Sequence, residues 1–224
     1  GSVMTIVDVC VVGSANLDNF IKANKDLLKA DVVVISDSPM FDRDVPSICY
    51  GLRGLAYFQI DVRGTKSDLH SGSFGGAVVN PAMALAQAIA QMKDKSGRIK
   101  IPGFYDDVVA LREEERAEFA KLPFNEKRYR IDLGAPKLFG EAGYTTLERV
   151  WARPTFEVNG LLSGFTGDGA KTVLPAIAMA KVSMRLVPNQ DPKKIGDLFE
   201  DYLKKVMSKA VNYSLIRMHG GKPW

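Results

Sequence analysis

Hydrophobic and polar positions change period several times along this chain. Leu17, Phe20, Ile21, Leu27 and Leu28 within residues 16–29 suit a loose amphipathic helix. Val32-Val33-Val34-Ile35 is a continuous β-branched run, the pattern of a strand covered on both faces in a parallel sheet. From Leu55 the pattern alternates. Ala56, Phe58, Ile60 and Val62 fall on one side and Tyr57, Gln59, Asp61 and Arg63 on the other, which predicts a half-buried strand. Asn80 and Pro81 then suit an N-cap and first helical position. Ala82, Leu85, Ala86, Ile89 and Lys93 form the row behind them, with Lys93 snorkelling at the end and Gly97 as the stop. Residues 98–150 break this regularity and read as an insertion, with a turn at 101–104 and a charged helix over 107–121 whose Glu113, Glu114 and Glu115 face solvent. Alternation resumes over Thr155 to Leu162, and a glycine-rich loop follows (Ser163 to Lys171). Ala180, Val182, Met184 and Leu186 then oppose Lys181, Ser183 and Arg185. Asp191-Pro192 opens a helix striped with Ile195, Leu198, Phe199, Tyr202, Leu203 and Val206, and Asn212 to Met218 predicts a final strand. The order from residue 55, β-α-(insertion)-β-β-α-β, predicts an α+β ferredoxin-like layer with two helices on one face of an antiparallel sheet. Such a sheet must protect its edges, and pairing with a second copy is one way.

Composition narrows the class without deciding the function. The 224 residues are 46% hydrophobic and 25% charged, as in an ordinary soluble globular protein. A net charge of +4 is spread among acids rather than run together, which gives nucleic-acid binding little support. No apolar stretch reaches the roughly 20 residues that span a bilayer, so no membrane partner is expected. Cys10 and Cys49 are too few for a disulfide framework and read as reduced thiols of a cytoplasmic protein. Gly1-Ser2 matches the remnant of a cleaved expression tag and is set aside.

Two places carry candidate chemistry. Asp68-Leu69-His70-Ser71-Gly72-Ser73-Phe74-Gly75-Gly76 joins a strand to a helix and holds one of two histidines. Its glycines allow close backbone approach, so an imidazole and free N–H groups could meet an anion there. A plain glycine-rich turn with a surface histidine fits the same residues. Asp37, in Ser36-Asp37-Ser38-Pro39, follows a predicted α/β strand, where ligands commonly bind. Turn chemistry before proline explains it as well.

Three blocks together resemble the di-zinc exopeptidases that include carnosinase-type dipeptidases, carboxypeptidase G and acetylornithine deacetylase. They are Asp31 to Asp37; Leu69 to Gly76; and Lys171-Thr172-Val173-Leu174-Pro175 followed by Met184-Arg185-Leu186-Val187-Pro188. The dipeptidase branch is nearest in style, with Ser47 to Gly54 adding to the likeness, which runs from about Gly13 to Trp224. The resemblance implies a two-zinc α/β catalytic domain interrupted by a ferredoxin-like lid that also forms the homodimer. Residues 1–54 would be a partial catalytic segment (1–12 resembling nothing in the family), 55–218 the lid, and 219–224 the start of the return. Asp37 matches a zinc ligand, and His70 matches the lid histidine that stabilises the oxyanion in the partner's active site. Thr172 and Arg185 match residues that hold the carboxylate of a dipeptide or N-acyl amino acid substrate.

Departures from the family pattern are equally specific. No His-x-Asp pair is present, Cys10 and Val11 stand where adjacent glutamates belong, and His219 is not in the place of the last zinc histidine. The expectation is a central fragment of a zinc metallopeptidase with an incomplete metal site, inactive alone. A non-catalytic dimerising or carboxylate-binding module is the alternative. Residues 14–50 would lack their sheet neighbours, leaving Val32 to Ile35 as an association site beside a well-folded lid.

Overall fold

The computed structural model describes residues 17–31 and 40–224. The chain divides into two units, 1–50 and 51–224. In the first, helix α1 (Leu17–Ala23) ends where Asn24 Nδ2 donates to the Phe20 carbonyl at 2.8 Å. The helix is shorter than the 16–29 expectation, and residues 24–28 form turns instead. The expected strand Val32 to Ile35 lies outside the described residues, as does Asp37.

The second unit is built on a four-stranded antiparallel sheet in the order β3-β5-β1-β6. Strand β1 (Gly54–Arg63) and strand β5 (Ile177–Leu186) are central; β3 (Thr155–Ser163) and β6 (Asn212–Gly221) are the edges. Two-residue strands β2 (Leu69–His70) and β4 (Val173–Leu174) pair as a separate ribbon. This strand order, with crossovers α3 (Pro81–Ala90) and α7 (Pro192–Val206), is the ferredoxin-like arrangement.

Period-two burial drives the layer. Ala56, Phe58, Ile60 and Val62 of β1 and Ala178, Ala180, Val182, Met184 and Leu186 of β5 point into one core. Helix α7 lays Ile195, Phe199 and Leu203 on them, and Phe199 meets Phe58 at 5.0 Å between ring centroids. Full burial of a side chain such as Phe199 stabilises the fold by about 1.5–3 kcal/mol. Helix α3 starts at the Asn80 cap, whose Oδ1 accepts from the Ala82 N–H at 2.9 Å. Its buried face is Pro81, Ala84, Leu85 and Ala88, with Met92 beyond, and Ala86 is exposed. The expected row was therefore one position out of phase, because an alanine-rich helix gives periodicity little to distinguish. Lys93 lies past the helix end and its Nζ pairs with Glu157 at 3.0 Å.

The insertion holds three short helices, α4 (Glu113–Lys121), α5 (Glu126–Asp132) and α6 (Thr146–Trp151), where the sequence predicted one over 107–121. Helix α4 starts late, with Glu113, Glu114 and Glu115 all in its first turn at the positive end of its dipole. Ion pairs to two buried glutamates hold the segment. Glu141 accepts from Arg153 Nε at 2.7 Å and Nη2 at 2.9 Å, and from Arg98 at 3.1 Å. Arg116 clamps the 2%-exposed Glu148 through Nε at 2.6 Å and Nη2 at 3.2 Å. Burial alone would raise the Glu148 carboxyl, but the Arg116 bonds and the Thr145 N–H outweigh it and hold it below the usual glutamate value. Glu148 also closes a capping box with Thr145.

Candidate functional site

Strand β1 ends at Arg63, and the chain turns through Asp68 into the β2–β4 ribbon. Asp68 Oδ1 accepts from the Ala176 N–H at 2.8 Å, and the Ser71 N–H donates to the Thr172 carbonyl at 3.0 Å. Leu69 pairs with Leu174 and His70 with Val173, so two blocks about a hundred residues apart in sequence become neighbours. A two-residue strand carries no readable period, and sequence alone gave no sign of this ribbon.

His70 is fixed at both ring nitrogens. Its Nδ1 accepts from the Gly72 N–H at 3.1 Å as the cap of the short helix α2 (Ser71–Phe74). Its Nε2 lies 3.1 Å from Thr172 Oγ1. An Nδ1 that accepts leaves the proton of the neutral ring on Nε2, where it points at the threonine oxygen. The Thr172 O–H is then free to donate outward. Both side chains are exposed, so this donor pair faces solvent. Gly72 is required: a Cβ there would stand 2.8 Å from His70 Cε1. Gly76 adopts φ +86°, so the loop also uses left-handed backbone before α3.

Arg185 is elsewhere. It lies opposite Leu55 and Thr155 at the far end of β5, and its side chain is exposed on the face away from the helices. The β5 strand starts at Ile177, just after the ribbon, so roughly 26 Å of strand separates the two places. Within one protomer His70 meets Thr172 and does not meet Arg185.

Beside Arg185 sits Arg53, which did not stand out in the sequence as a site residue. The register that sets Leu55 against Arg185 puts Arg53, two residues earlier, on the same face and diagonal to it. Arg53 is half-buried, and its guanidinium is drawn below its ordinary pKa by burial and then by the charge of Arg185. Its parity with Leu55 and Tyr57 was the available signal. On the same face Tyr57 stacks with His219 at 5.3 Å, and His219 Nε2 is buried without a hydrogen-bond partner among the described residues.

Among the described residues no three His, Cys, Asp or Glu side chains gather where they could hold a metal ion. No helix among them is long and apolar enough to cross a membrane. Cys49 is exposed and outside any disulfide.

A family model described as peptidase dimerisation domain matches residues 50–211. A Cys-Gly metallodipeptidase of Schizosaccharomyces pombe is 34% identical over 217 residues, covering 95% of this chain and 46% of the relative. The Beta-Ala-His dipeptidase of Homo sapiens is 32% identical, covering 95% and 43%. Among solved structures, an M20 family metallo-carboxypeptidase from Sulfolobus solfataricus superposes with a TM-score of 0.81 at 35% identity, covering 93% of this chain and 54% of that one. Human carnosine dipeptidase 1 gives a TM-score of 0.84 at 31% identity, covering 95% and 46%. The chain thus spans about half the length of these relatives. With the matched region taking in three of the four strands of the ferredoxin-like sheet and ending just before the last, the chain belongs to the M20 peptidase dimerisation-domain family.

Proposed function

We propose that this chain is the lid and dimerisation portion of a metal-dependent dipeptidase-like hydrolase, and that its site is shared between two protomers. The observation that carries the reading is the division just described: a preset His70–Thr172 donor pair at one end of the sheet and Arg185 at the other. A two-fold axis can bring such ends together. Strand β3 is an edge, and it exposes Leu161 (60%) and Leu162 (57%), with Val158 nearby. β3 runs from Thr155, beside Arg185, to Ser163, beside Ala178. Antiparallel pairing of β3 with its copy therefore sets the Arg185 end of one protomer against the ribbon end of the other.

In that dimer Arg185 holds the free carboxylate of a dipeptide or N-acyl amino acid through its fork of N–H groups. The partner's His70 turns its Nε2 proton from Thr172 Oγ1 to the oxygen that becomes negative during attack on the scissile amide, and Thr172 donates to the carboxylate. The donors are held before substrate arrives, by the Gly72 N–H and the ribbon, so little reorganisation is needed. The metal, zinc in this reading, would activate the attacking water in the whole enzyme. The described residues do not assemble a place for it, and Asp37 is assigned one carboxylate ligand by resemblance alone. The boundaries follow: 1–54 catalytic segment, 55–218 lid, 219–224 return, in a cytoplasmic protein.

The described residues supply binding groups and gather no cluster for a water-activating metal, which favours a dimerising carboxylate-binding module as the behaviour of this chain alone. Purified chain supplied with zinc should release no product from Cys-Gly or β-Ala-His above the blank. Zinc-dependent turnover lost in His70→Ala would contradict the assignment of the metal centre to the missing portion.

A further inference from the structure

Most arginines in this unit find acceptors among the described residues. Arg98 and Arg153 share Glu141, Arg116 takes Glu148, and Arg217 takes Asp197 and Glu200. Arg53 and Arg185 are different. Neither forms an ion pair or hydrogen bond with any described residue, yet the two stand diagonally on one sheet face and one of them is half-buried. Two neighbouring cations without a counter-charge are mutually destabilising unless a third, negative group joins them.

The backbone holds this pair in place. The Leu52 N–H donates to the Trp224 carbonyl at 2.8 Å and the Trp224 N–H returns a bond to Leu52 at 3.0 Å, which extends the sheet past Gly54. A Cβ at Gly54 would lie 2.6 Å from the Gly221 carbonyl oxygen, so the two segments approach closely beside Arg53. Arg53 thus projects from backbone tied down between the Leu52–Trp224 bonds and the start of β1.

We infer that Arg53 is a second guanidinium of the carboxylate subsite, closing with Arg185 on the free carboxylate of the substrate. This rests on the assignment of Arg185 above and adds a residue to it. Two guanidinium forks can satisfy most of the lone pairs of one carboxylate. The site therefore selects ligands with a free carboxylate over their amides. The depressed Arg53 pKa, caused by burial and by Arg185, is the electrostatic trace of a cation pair awaiting an anion.

The test is titration of the full chain with glycylglycine and with glycylglycinamide, followed by the arginine Nε–Hε resonances. The wild-type chain should bind the first and at least about tenfold less of the second. Arg53→Met should weaken glycylglycine binding about tenfold or more and collapse the carboxylate-to-amide ratio, a change that loose packing alone would not produce. If Arg53→Met does not fold, Arg53→Lys decides: a point charge cannot supply the fork, so its ratio should also fall. Wild-type affinity and ratio in Arg53→Lys or Arg53→Met, with binding lost in Arg185→Met, would overturn the role of Arg53 and leave Arg185 standing. Equal or absent binding of both probes by the wild type would overturn both assignments.

Discussion

The two ends of the lid sheet are built on opposite electrostatic terms. At the ribbon end the site groups are tied together: His70 to Gly72 and Thr172, Ser71 to Thr172, and Ala176 to Asp68. At the other end Arg53 and Arg185 face each other unanswered among the described residues. Satisfied donors are a preorganised tool, whereas neighbouring cations attract a specific anion. The difference teaches that, on the proposed reading, neither end is a site by itself and a second protomer completes it.

Breaking the union should have the most severe consequence. Leu161→Lys with Leu162→Lys puts charge on the β3 edge, where cationic side chains block strand pairing. Sedimentation should show the wild type at twice the chain mass and the double variant at the chain mass across micromolar concentrations. A wild type that is monomeric throughout would break the comparison at its root.

Gly72→Ala attacks the ribbon end alone. Its Cβ would crowd the His70 ring, so the imidazole must swing out and lose both contacts. The ¹⁵N shifts of His70 should change from a single Nε2–H tautomer to a mixture, with a stability loss of about 1 kcal/mol. Thr172→Val removes only the acceptor at Nε2, and because the pair is exposed the loss should stay below about 1 kcal/mol. Arg185→Gln should move stability least, within about 0.5 kcal/mol, because it removes a repulsion along with an exposed side chain. Thermal unfolding separates these three. A large loss in Arg185→Gln would mean that the guanidinium has a structural partner.

Sequence legibility followed the source of stability. The sheet and α7 were readable because apolar burial imposes a period, as with Phe58, Ile60 and Val62 against Ile195, Phe199 and Leu203. The insertion was poorly readable because Glu141, Glu148, Arg116 and Arg153 hold it, and ion pairs between distant residues leave no period. Its α6 could have been found from Thr145-x-x-Glu148, the capping box signature. For the site, His70, Thr172 and Arg185 came from motif likeness, while their separation in space and the presence of Arg53 came only from register. Asp37 lies outside the described residues.

A single distance decides whether the site is shared. With Cys10 and Cys49 replaced by serine, one population carries a spin label at Ser73→Cys beside His70 and another at Thr155→Cys opposite Arg185. The two are mixed to form heterodimers, and pulsed dipolar spectroscopy measures between protomers. A distance clearly shorter than the roughly 26 Å of strand within one chain is the expected result. Labels farther apart between protomers than within one would contradict a catalytic pocket assembled across the dimer.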